Sequence, residues 1–108
     1  MKRVHDKTED EMREALVRYG VPEGLHDGLL AYLFGGYLPG NFLCCVLEND
    51  LAGAVMRADH ASLAGLKDLV GFINMEIPSP AHGSPERVRL WAAECEAERK
   101  ATNTVSTQ

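Results

Sequence analysis

Apolar residues recur along this chain at intervals of three and four, and no stretch shows the strict alternation of a half-buried strand. The pattern predicts helices throughout. Thr8 followed by Glu11 forms a capping box, Met12, Ala15, Leu16 and Tyr19 mark one stripe, and Gly20 closes a helix over 9–19. That helix is densely charged, so it is expected to dock only loosely. Pro22 and Glu23 open a second helix over 22–34. Leu25, Leu29 and Leu33 recur every four residues, and Leu30 and Phe34 widen their face. Gly24 and Gly28 weaken this helix or admit a close neighbour, and Gly35-Gly36 through Gly40 breaks the chain.

A third helix is predicted over 41–58, with Asn41 as N-cap and Phe42, Leu43, Val46 and Leu47 on its apolar face. Leu51, Ala54, Val55 and Ala58 continue that face beyond Asn49-Asp50, where the helix bends or is capped again. Asp59 caps a fourth helix over 60–77, in which Leu63, Leu66, Val70, Ile73 and Ile77 step by three and four as a core stripe, flanked by Leu69 and Phe72. Ser84-Pro85-Glu86 starts the last helix, over 85–99, with Val88, Trp91, Ala92 and Cys95 inward. The fold class is therefore all-α, a compact bundle of four to five short helices. Residues 1–100 make one helical domain with a frayed start over 1–7, and residues 101–108 a disordered polar tail. A chain this small buries a limited share of its surface, so a homo-oligomer is expected.

Charge narrows the partners. The 108 residues carry a formal net charge of −5, which argues against binding a nucleic-acid backbone. A small anionic ligand held by local Arg and N–H groups stays open, as does a basic protein surface. Cys44, Cys45 and Cys95 make an odd count, and two neighbouring residues on a helix point about 100° apart, a poor disulfide geometry. Reduced, buried, inert thiols in a cytoplasm are the reading. No apolar run reaches a membrane span, and the charged start is no signal peptide.

Few residues offer chemistry. Asn49 and Asp50 interrupt an apolar face, and Arg57 lies seven residues on, so Asp50 and Arg57 can share a side. With Asp59 they are a polar staple, in which Asp50 pairs with Arg57 or caps a helix, or the lining of a ligand pocket, or simply exposed surface. The expected outcome is Asp50 held structurally and Arg57 open to bind phosphate or carboxylate. His82, in the Pro-rich loop, is a further candidate ligand contact. None of His5, His26, His60 and His82 forms a zinc pair, and no nucleotide-binding or hydrolase motif is present, so neither a metal, a cofactor nor a catalytic residue is expected. Trp91 reads as core, its indole N–H bonded to a loop carbonyl.

From Pro22 to about Glu94 the chain resembles a family of small phage and prophage proteins. The matching pieces are Gly28-Leu29 with Tyr32, Pro39-Gly40-Asn41-Phe42-Leu43, Val46-Leu47-Glu48-Asn49-Asp50-Leu51, Arg57-Ala58-Asp59, Ile77-Pro78-Ser79, and Gly83-Ser84-Pro85-Glu86-Arg87-Val88 with Trp91. The resemblance implies a phage setting, with action in the cytoplasm of a bacterial host, and carries no catalytic residue. By analogy it implies a non-enzymatic accessory protein acting against host defence, by sequestering a nucleotide-like immune signal or by blocking a host defence protein. The alternative is a structural or regulatory adaptor that binds a host or virion protein.

Overall fold

The computed structural model describes the backbone of residues 3–4 and 7–106 and the side chains of residues 7–101. Two short strands, β1 (Arg3–Val4) and β2 (Lys7–Thr8), pair antiparallel, where fraying was expected; residues 1–2 and 5–6 lie outside the described residues. The rest is helical: α1 (Glu9–Tyr19), α2 (His26–Gly35), α3 (Asn41–Leu47), α4 (Leu51–Arg57), α5 (His60–Ala64), α6 (Leu66–Glu76) and α7 (Pro85–Ser106), with 3-10 turns at Glu23–Leu25 and Ser79–Ala81. The all-α expectation holds, with more and shorter helices than four or five.

Local chemistry places the first and last starts. Thr8 Oγ1 accepts from Glu11 N at 3.3 Å, and Glu11 Oε1 accepts from Thr8 N at 2.8 Å, closing the box ahead of α1. Ser84 Oγ accepts from Arg87 N at 3.2 Å ahead of α7. Gly20 and Gly36 end α1 and α2 in the left-handed conformation. At Gly36 a Cβ would collide with Cys95 and the Ala92 carbonyl, so glycine is also what lets α2 abut α7. Helix α7 runs past its expected end near 99 and through the start of the expected tail. Arg99 Nε donates to Gly35 O at 2.6 Å, Lys100 pairs with Glu96 at 3.0 Å, and no Gly or Pro follows to stop propagation. Residues 107–108 lie outside the described residues.

The core sits where α1, α2, α6 and α7 meet. Met12, Leu16, Leu29, Tyr32, Leu33, Leu47, Leu69, Phe72 and Val88 are fully buried. Helix α1, with Met12, Ala15 and Leu16 sealed against α2 and α6, is a full member of this core and not the loosely docked helix its charge density predicted. Its charged residues lie on the opposite face, so they cost nothing in packing. Polar groups inside are satisfied: Tyr32 Oη donates to Ala81 O at 2.6 Å, and Trp91 Nε1 to Tyr32 O at 3.3 Å, a helix-end carbonyl and not a loop one. The ring of Tyr19 meets that of Phe72 edge-on at 5.8 Å.

On α6 the buried stripe is Leu69, Phe72 and Ile73, with Ile77 just beyond its end. Leu63 and Val70 are exposed and Leu66 is half-buried. The heptad read through 63–77 assumed one continuous helix. The chain breaks at Gly65, because Pro22 packs against Gly65 so closely that a Cβ there would strike its ring, and the break resets the helical phase.

Candidate functional site

The predicted third helix is two helices folded back on each other. α3 stops after Leu47, Asn49 takes a left-handed backbone with φ 66°, and Asp50 becomes the N-cap of α4. Asp50 Oδ1 accepts from Gly53 N at 3.0 Å, while Asp50 N donates to Cys45 O at 2.8 Å. A short apolar side chain at position 49 would strain the turn, and at position 50 it would leave the α4 N-terminus uncapped. The interrupting Asn-Asp pair is thus the corner of an α3–α4 hairpin.

That hairpin forms one wall of a groove of about 310 Å3. Helix α6 forms the other wall, and His82-Gly83 close one end. Gly83 N donates to Leu47 O at 2.7 Å, which stitches the loop to the last turn of α3. Leu47 and Ile73 make a buried floor; Val46, Ala54 and Leu66 line the sides; Leu51 and Val70 stand exposed at the lip. The polar groups are Asn49, Asp50, Asn74 and His82. Asn74 Nδ2 donates to Val70 O at 2.9 Å. His82 is half-buried. Burial pushes its imidazole below the ordinary histidine value of 6.5 and outweighs an opposing backbone hydrogen bond at Ile77; the nearby Arg87 charge lowers it further. The groove therefore presents a neutral imidazole at neutral pH, and among the described residues Asp50 is the one charged side chain in its lining.

Of the five residues singled out in the sequence, Asn49, Asp50 and His82 converge on the groove, and Arg57 and Asp59 do not. Arg57 sits at the far end of α4, exposed, with Nη1 donating to Gly53 O at 3.3 Å. Asp59 caps α5: Oδ1 accepts from Ser62 N at 2.7 Å, and this backbone bond holds its carboxyl below the usual value. No ion pair joins Asp50 to Arg57 among the described residues; both bond to Gly53, one to its N–H and the other to its C=O.

The other lining residues went unrecognised in the sequence: the apolar ones, Leu66 and Val70 among them, were assigned to helix faces or core, and Asn74 was passed over. Asn74 is a polar residue within an otherwise apolar run, which is the same signal that marked Asn49. Among the described residues no group of three or more His, Cys, Asp or Glu converges as a metal site, and no helix is long and apolar enough to cross a membrane. Cys44, Cys45 and Cys95 form no disulfide among the described residues. Cys44 Sγ bonds to Pro39 O at 3.2 Å, and burial, with Glu48 adding to it, pushes its pKa up, away from thiolate character. No protein family, curated protein or solved structure matches the chain.

Proposed function

We propose that this chain is a non-enzymatic binding protein that holds an apolar segment of a host protein in the groove between the α3–α4 hairpin and α6. In the phage setting implied by the resemblance of residues 22–94, holding that segment blocks a host defence protein. The observation that carries the reading is the lining. Its walls and floor are apolar, its polar groups are amides, one imidazole and one carboxylate at the rim, and among the described residues no Lys or Arg lines it. A nucleotide-like signal needs cationic or N–H donors for its phosphates. Arg57, the residue expected to supply that charge, lies outside. An apolar side chain of a partner needs what the groove has: a desolvated floor and a polar rim for the flanking peptide groups.

Photo-crosslinking in bacterial cells tests this. A benzophenone amino acid replacing Leu51 is expected to capture a protein, the same residue replacing Leu90 on the far surface is not, and Val70→Lys in the groove wall should abolish the adduct. No adduct at position 51, or one that Val70→Lys leaves intact, overturns the proposal. A nucleotide released from the purified protein on denaturation moves the assignment to sequestration, and a captured virion or transcription protein moves it to an adaptor.

A further inference from the structure

A second pocket, of about 630 Å3, lies between α1 and the start of α2, and none of its lining residues belongs to the groove. Arg13 and Val17 line it from α1, and Val21, Glu23, His26 and Asp27 from the chain that leads into α2. His26 is only 8% exposed, and its Nε2 lies 2.8 Å from Val21 O. A carbonyl oxygen brings no proton, so the proton of that bond is on Nε2, and Nδ1 of the neutral ring keeps a lone pair. Among the described residues no hydrogen bond meets Nδ1, and no buried side-chain nitrogen or oxygen lacks both a partner and solvent. Nδ1 is therefore within reach of solvent, through the pocket that His26 lines.

The charges around it are unevenly matched. Arg13, the one cation in the lining among the described residues, is answered by Asp27 at 3.3 Å and by Glu9 at 3.8 Å. Glu23 is exposed, and its carboxylate makes no ion pair or hydrogen bond among the described residues. Asp68 adds a further carboxylate against Gly20, where a Cβ would lie 3.2 Å from its Oδ2. The two unpartnered groups of the lining, His26 Nδ1 and the Glu23 carboxylate, both accept and neither donates.

We propose that this pocket binds a primary ammonium group on an alkyl chain, the chemistry shared by a lysine side chain and a polyamine. An ammonium has three donors and no acceptor, so it can serve His26 Nδ1 and Glu23 together and give its third proton to water. Val17, 68% exposed, offers the methylenes an apolar wall. The chain's net charge of −5 favours the approach of a cation. An anion would meet two acceptors and an arginine already paired. A metal ion would lack ligands, since among the described residues no three His, Cys, Asp or Glu converge.

Nitrogen NMR on the isotope-labelled full chain tests this, at mildly alkaline pH where histidine is neutral and an alkylamine still charged. The free protein should show the Nε2–H tautomer at His26. Butylamine, Nα-acetyl-lysine methylamide and spermidine should each shift the Nδ1 resonance saturably; the lysine derivative acetylated on its side-chain nitrogen, which has no charge, should not. Glu23→Gln should weaken the charged probes about twofold to fivefold, the worth of one exposed ion pair. Glu23→Lys should abolish their binding, and circular dichroism should show both variants folded, since the position is exposed. Val70→Lys should change nothing, which keeps this outcome separate from that of the crosslinking test. Spermidine binding the tighter would assign the site to free polyamines, and the lysine derivative binding the tighter to a partner protein's lysine; either upholds the ammonium site. The opposite tautomer in the free protein, an Nδ1 resonance that no charged probe moves, an equal shift with the acetylated derivative, or full binding by Glu23→Lys overturns the proposal.

Discussion

At the scale of single residues, burial and not periodicity decides what a side chain contributes. Phe72 and Val70 sit two residues apart on α6, one fully buried and the other at the groove lip. Phe72→Ala should cost about 3–5 kcal/mol, and Val70→Ala less than about 1 kcal/mol, by chemical denaturation. Equal losses would mean that the α6 stripe faces elsewhere. Tyr32 is a buried group with one partner: Tyr32→Phe leaves the Ala81 carbonyl without its donor and should cost about 1–3 kcal/mol. His82 adds a pH dependence whose sign follows from its lowered pKa. The unfolded chain takes up a proton near 6.5 and the folded chain only at lower pH. The stability this group supplies is thus complete above 6.5 and is lost as pH falls from there through the folded value. Melting temperature should drop over that window, and His82→Gln should flatten the drop. An unchanged slope in the variant would assign the titration to another group.

At the scale of elements, what was legible in the sequence was what is chemically local. The Thr8–Glu11 box, the Ser84 start and the Gly20 stop each depend on residues within one turn, and all three stand in the structure where their residue types put them. What was not legible depends on distant contacts. The break at Gly65 answers to Pro22, more than forty positions earlier, and without it the 60–77 run reads as one unbroken helix with Leu63 and Val70 inside. The Asn49 corner was visible as a polar interruption, but its left-handed backbone was not, because a bend and a reversal share that composition. The corner makes its own predictions. Asn49→Gly should be tolerated, while Asn49→Val should cost about 1–2 kcal/mol, since a branched side chain resists that conformation. Asp50→Ala should cost about 1 kcal/mol through loss of the α4 cap. Hydrogen exchange should then quicken in α4 before it does in the core helices. A uniform response across the chain would mean that α4 is cooperative with the core.

At the scale of the whole molecule, the candidate site belongs to no single element. Its walls come from 46–54 and 66–74 and its end from 82–83, so no one stretch of sequence announces it. The clearest surviving signal was the group of polar residues that had no evident use; Arg57 and Asp59 belonged to that group too, and only the folded backbone separates helix ends from groove. The bond from Gly83 N to Leu47 O is the point at which two of these distant stretches are joined. That single amide therefore works as a gauge. If the loop swings off α3 in a local fluctuation, the Gly83 N–H trades for deuterium at the frequency of that excursion and not at the far slower rate of complete unfolding. An occupant seated in the groove would hold the loop down and slow this one exchange, while the amides of α1, none of whose residues lines the groove, kept their own pace. One resonance in a spectrum would then tell an empty protein from a filled one without any knowledge of what filled it.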